Sequence, residues 1–193
     1  MTGSAAAAST RQAGLPPAAW VATLFFIAAE TMVFAGLLFF FLAYRLWSPV
    51  WPPLGEPRLP LGVTVMNTAI LLVSGFAMRH AVRLARAGAG PAARRALVTT
   101  AALGWAVLAV QGSEWVRLVR WGLTATSSPY GGIVYALLAA HGVHVLAAVA
   151  WLVAVAVPGR RPPPPARRLE ACALYWSFVC ILWVAIVAVV YLG

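Results

Sequence analysis

Apolar residues fall into five long runs, roughly Trp20 to Tyr44, Leu61 to Met78, Leu97 to Val116, Gly131 to Val157 and Leu169 to Leu192. A hydrocarbon core about 30 Å thick takes roughly 20 apolar residues to cross as a helix, and each run meets that length once tilt is allowed. The gaps between them are short. One carries Ser48-Pro49-Val50-Trp51-Pro52-Pro53 and another Pro162 to Pro165, where fixed φ angles and missing N–H donors preclude helix and impose turns. Residues 1–17 are small, polar and Ala-rich; they lack a charged region followed by a short apolar core and cleavage site, and read as a disordered tail rather than a signal peptide. The pattern predicts an all-α polytopic membrane protein, with 18–193 forming one bundle of five transmembrane helices.

Composition agrees. Of 193 residues, 63% are hydrophobic and 9% charged, against about 45–50% and about 25% in an average soluble domain. A water-soluble surface cannot be built from that, and nothing remains for a soluble catalytic domain. The net charge of +10 does not indicate nucleic acid, because the basic residues sit in the gaps between apolar runs instead of forming one solvated face. All 14 basic residues are Arg, which reflects composition bias more than mechanism. Their distribution sets an orientation, since short cytoplasmic loops retain excess basic residues. One side receives Arg11, Arg79, Arg83, Arg86, Arg94, Arg95, Arg160, Arg161, Arg167 and Arg168, and the other only Arg45, Arg58, Arg117 and Arg120. The N-terminus is therefore expected in the cytoplasm and the C-terminus outside. Trp20, Trp47, Trp51, Trp115 and Trp121 fall near the run ends, as interfacial anchors do. The two cysteines, Cys172 and Cys180, imply neither a disulfide framework nor a metal box.

The chemistry resides in a few polar residues. The four acidic residues are Glu30, Glu56, Glu114 and Glu170. Glu30 sits near the middle of the first run, where an ionisable group costs about 2.5–3.5 kcal/mol on insertion scales, a cost normally kept for function or for a specific partner. It reads either as a protonatable carboxylate on a proton route or lipid-lined cleft, or as a neutral acid hydrogen-bonded between helices. Glu114 and Glu170 lie near run ends, within reach of interfacial water. His141 and His144, three apart in the fourth run, project from one helical face. Metal or haem ligation would need further converging ligands that the runs do not supply, since His80 lies at a run end. Hydrogen bonding to a glutamate on another helix is the expectation for the histidines. Small pairs such as Ala35-Gly36, Ser74-Gly75 and Gly131-Gly132 suit close helix packing.

With these residues located, the chain resembles subunit III of the haem–copper terminal oxidases, the cytochrome c and quinol oxidases of aerobic respiration. Phe26-Ile27-Ala28-Ala29-Glu30 followed by Phe34-Ala35-Gly36 is similar to a helix of that family with a buried glutamate. Trp51-Pro52-Pro53 resembles its loop, and Asn67-Thr68-Ala69-Ile70-Leu71-Leu72-Val73-Ser74-Gly75 its next helix. Gln111-Gly112-Ser113-Glu114-Trp115, His141-Gly142-Val143-His144-Val145 and Glu170-Ala171-Cys172-Ala173-Leu174-Tyr175-Trp176 follow in the family's order. The likeness covers nearly the whole chain after the tail. It corresponds to a five-helix form lacking the first two of the family's seven. One departure stands out: where the family commonly has Tyr-Trp-His-Phe-Val-Asp, this chain has Tyr175-Trp176-Ser177-Phe178-Val179-Cys180.

The resemblance implies an accessory subunit of an oxidoreductase complex, not catalytic by itself, in a bacterial plasma membrane. It would carry no cofactor or metal of its own, haem and copper residing in partner subunits. It would pack beside catalytic subunit I and the other subunits, bind phospholipid, and support proton uptake and durability during oxygen reduction. On that reading Glu30, His141 and His144, with Glu114 and Glu170, supply buried polar groups for a proton or lipid role. Arg79, Arg83, Arg94 and Arg95 would meet anionic lipid head groups. A related subunit of a nitric oxide reductase is the alternative within the same class. A small proton-coupled transporter or a membrane acid–base enzyme are alternatives outside it, although no inverted repeat is evident.

Overall fold

A computed structural model describes residues 18–57, 59–156 and 166–192. Five helices account for nearly all of them: α1 (Ala18–Trp47), α2 (Leu61–Arg86), α3 (Gly90–Arg120), α4 (Pro129–Ala156) and α5 (Ala166–Ile186), the last running on into a π-helical turn, Val187–Tyr191. All five are long and apolar enough to cross a membrane. The expected tail over 1–17 and the turn at Pro162 to Pro165 lie outside the described residues.

The helices overrun the apolar runs. α2 continues past Met78 through Arg79, Arg83 and Arg86, and α3 starts seven residues before Leu97, with Pro91 in its first turn. Helix costs nothing extra there, because the arginine stems lie along the helix while their charged heads reach the polar interface. Only Ala87–Ala89 separates the two helices, and Gly88 turns the chain with φ +74. The matching turn between α3 and α4 uses Gly122 at φ +88. There Ser128 Oγ accepts the Gly131 N–H at 3.0 Å, and Tyr135 donates its hydroxyl to Leu123 O at 3.0 Å.

The longer α1–α2 connection is held by one indole. Trp51 packs edge-on against Phe41 and Tyr130, at ring-centroid distances of 5.4 and 5.3 Å, and Arg45 sits over its face at 5.6 Å. The following Trp51–Pro52 bond is cis.

In lipid, burying apolar surface against a neighbouring helix gains little, so close van der Waals packing and interhelical hydrogen bonds must hold the bundle. α5 is the central element and packs against α1, α2 and α4. Its Trp176 and Trp183 are among the largest fully buried side chains. Trp176 donates to Ser74 Oγ on α2 at 3.1 Å and Trp183 to Thr68 Oγ1 at 2.9 Å, so each indole brings its own partner. Gly104 on α3 makes room for the first of them: a Cβ there would lie 2.7 Å from Trp176 and 2.6 Å from Val149.

α1 is peripheral. Its buried residues are Thr23, Phe34 and Phe41, a single narrow stripe, while Phe25, Met32, Phe39 and Phe40 face outward.

Candidate functional site: a part-buried acid–imidazole pair and an arginine-lined groove

Glu30 on α1 and His144 on α4 meet halfway along their helices. Glu30 Oε2 lies 2.7 Å from His144 Nε2, and His144 Nδ1 lies 2.6 Å from the carbonyl oxygen of Ala140, one turn earlier on the same helix. A carbonyl oxygen only accepts, so Nδ1 carries a hydrogen. Nε2 then meets the carboxyl across a gap that holds one proton, either on Glu30 with a neutral ring or on His144 with a carboxylate. Both arrangements are neutral overall, which is what a low-dielectric setting demands. Phe34 closes the pair from one side, edge-on to the imidazole at 5.2 Å. The side chains retain 20% and 16% of their exposure, so the pair lies at the bundle's lateral surface.

His141 does not join them. It is buried against α5, stacked on Trp183 at 4.9 Å, and neither ring nitrogen has a hydrogen-bond partner among the described residues. Three residues advance a helix by about 300°, leaving the two imidazoles about 60° apart around α4. That offset separates the α1-facing position from the α5-facing one. The expected association of both histidines with Glu30 thus holds geometrically for His144 alone.

Glu114 and Glu170 each meet an arginine. Glu114 is buried on α3 instead of lying open to interfacial water, and its Oε1 receives Arg117 Nη1 at 3.0 Å. Glu170 Oε1 receives both Nε and Nη2 of Arg86 at 3.0 Å, tying the start of α5 to the end of α2. At that same end of the bundle Arg94 donates Nε to Ala156 O at 2.9 Å, satisfying a carbonyl at the end of α4.

Beside the Arg86–Glu170 pair a groove of about 430 Å³ runs between α2 and α5, lined by Trp20, Arg79, Arg83, Arg86, Glu170 and Ser177 among others. It adjoins a second hollow of about 220 Å³ that extends along the same two helices past Leu72, Cys180, Ile181 and Val184, with Arg79 and Ser177 lining both. The groove is charged at its end and apolar along its length. Arg79 and Arg83 line it, while Arg94 and the exposed Arg95 do not. Arg86 has no place among the sequence's candidate head-group contacts, although its position one turn beyond Arg83 marked it.

Ser177 and Cys180, the residues that depart from the related pattern, both face this groove. Cys180 is mostly buried, with Sγ 3.7 Å from Leu71 O. Among the described residues no three of His, Cys, Asp and Glu converge as metal ligands.

Comparison with known proteins supplies the rest. The family model described as cytochrome c oxidase subunit III matches residues 14–193. The chain belongs to the cytochrome c oxidase subunit III family. It is 32% identical over 183 residues to cytochrome c oxidase subunit 3 of Synechocystis sp., a match covering 93% of this chain and 77% of that one. It is 34% identical to the probable cytochrome c oxidase subunit 3 of Mycobacterium leprae and also of Nocardia farcinica, in each case over 89% of this chain and 86% of the relative. As a subunit III family member it is an oxidase subunit and a membrane protein, and the Glu30–His144 pair and the α2–α5 groove are features of that subunit.

Proposed function

We propose that this subunit sits beside the catalytic subunit I of a bacterial haem–copper oxidase, holds anionic phospholipid in the α2–α5 groove, and maintains proton uptake and durability of the complex. It carries no electrons: haem and copper belong to the partner chains, and oxygen reduction takes place there. The N-terminus is cytoplasmic, so the groove's arginines lie at the cytoplasmic leaflet, where anionic head groups are abundant.

The observation that carries this reading is the Glu30–His144 pair. A carboxyl and an imidazole joined at 2.7 Å, one proton between them, at mid-bundle and near its lateral surface, form a proton-holding contact that a purely structural helix seam would not require. Such a pair exchanges its proton between acid and ring without acquiring net charge.

Glu30→Gln tests it. The amide N–H of glutamine donates to His144 Nε2 and preserves the bond, but it cannot take up or release a proton. The variant complex is expected to assemble with full haem content and to start at normal turnover. It then loses activity several-fold faster than the wild type. Unchanged turnover together with an unchanged lifetime would remove any proton or lipid role from Glu30. For the groove, Arg79→Gln with Arg83→Gln should at least halve the anionic phospholipid that remains with the complex after gentle extraction, as read by lipid mass spectrometry. Copurification with haem-bearing chains tests the assembly itself, since a transporter would purify and work alone.

A further inference from the structure

The molecule's second polar feature meets α4 at His141 and Gly142 instead of at the Glu30–His144 pair, and it closes on itself. Asn67 Nδ2 on α2 donates to Gln111 Oε1 on α3 at 3.4 Å. Glu114 and Trp115 follow Gln111 by three and four residues, which puts them on the same face of α3 one turn along. The Trp115 ring lies over Gly142 of α4, where a Cβ would meet it at 3.6 Å, beside His141. His141 stacks on Trp183 of α5, and Trp183 donates to Thr68, the neighbour of Asn67. The circuit therefore passes through α2, α3, α4 and α5 and returns to α2.

Within this ring five side-chain atoms are buried without a partner among the described residues: Asn67 Oδ1, Glu114 Oε2, Trp115 Nε1, and both nitrogens of His141. Asn67, Gln111, Glu114 and His141 are each at most 9% exposed. An unmet buried polar group costs about 1–3 kcal/mol, and native proteins carry few of them. Five on neighbouring residues of four helices call for a common explanation. Flipping the Asn67 amide does not help, because it sacrifices the bond to Gln111 and leaves one amide end unmet in either orientation.

The inventory identifies what satisfies them. Trp115 Nε1 only donates, Asn67 Oδ1 and an ionised Glu114 Oε2 only accept, and a neutral His141 offers one donor and one acceptor. Mixed polarity of this kind suits neither an anion nor a cation. It suits a small molecule that donates and accepts equally. We propose that the ring encloses ordered water, bonded to Asn67, Glu114, Trp115 and His141. At roughly three hydrogen bonds per buried water, about two molecules meet all five atoms. The 3.4 Å Asn67–Gln111 contact, long against the usual 2.9–3.0 Å, marks the slack side of the ring. Glu114 links the water beside it to Arg117, which is half exposed at the end of α3.

X-ray radiolytic labelling of native membranes that contain the full chain tests this, because radicals formed from internal water oxidise the side chains beside it. Two indoles give a matched comparison. Trp183 adjoins the ring and Trp176 lies outside it, and both are buried, at 2% and 0% exposure. The expected result is at least a five-fold higher label on Trp183 than on Trp176, with His141 labelled as well. Equal labelling of the two indoles overturns the proposal. In an Asn67→Leu variant that retains normal protein level and haem content, the Trp183 label should fall to that of Trp176, and a label that persists there also overturns it. If that variant fails to accumulate, the wild-type ratio alone decides.

Discussion

Glu30 and His144 satisfy each other, so their removal should cost unequal amounts depending on what is left behind. Glu30→Leu strands a part-buried imidazole nitrogen in the apolar span and is expected to destabilise the subunit by about 1–3 kcal/mol, the usual consequence of one orphaned partner. Adding His144→Leu removes the orphan and should recover most of that loss. Thermal denaturation of the two single variants and the double variant measures the difference. The resulting coupling is expected near the upper range for interhelical bonds in membranes, about 1.7 kcal/mol. The sequence made the cost of Glu30 plain, because a carboxyl amid twenty apolar residues has few explanations. It also made a glutamate the expected partner for a histidine. It did not separate His141 from His144, since a 60° difference around α4 becomes decisive only when the neighbouring helices are in place. Asn67, Gln111 and Trp183 were equally hidden as a ring: each is an unremarkable residue in its own span, and only four-helix packing brings them onto one circuit.

Among the elements, α3 carries the sharpest packing constraint. Gly104→Val pushes a branched side chain into Trp176 and Val149, and such overpacking typically costs about 1–3 kcal/mol. Gly112, two turns on, has open space where a Cβ would go, so Gly112→Ala should leave stability unchanged or raise it through helix propensity, worth up to about 1 kcal/mol. The melting temperature is expected to fall in Gly104→Val and to hold or rise in Gly112→Ala. All five helices were legible from apolar run length, and their ends were less so. The Arg79, Arg83 and Arg86 turns are helical although they lie past the apolar run, because the loop joining α2 to α3 is only three residues long and each helix continues until Gly88 reverses the chain. Arg94, expected at lipid head groups, also closes the end of α4 through its Nε, a use that no local pattern around it announces.

The whole bundle has one end rich in arginine, where Arg86 meets Glu170 and Arg94 meets Ala156. If that end faces the cytoplasm, a phosphatase reporter that is active only outside the membrane should report activity when fused after Leu192 and none when fused between Ala87 and Ala89. The opposite pattern would invert the orientation and move the groove to the other leaflet. Helices α2 to α5 interlock through indole hydrogen bonds and the Gly104 approach, whereas α1 buries one stripe and, among the described residues, reaches the others through one side-chain hydrogen bond, that of Glu30, and through aromatic contacts at Phe26 and Trp51. The first helix therefore behaves as a latch on a four-helix body. Loss of its mid-span hydrogen bond would loosen the latch while the body stayed intact, so damage to this subunit should begin as a local detachment and become collapse only later.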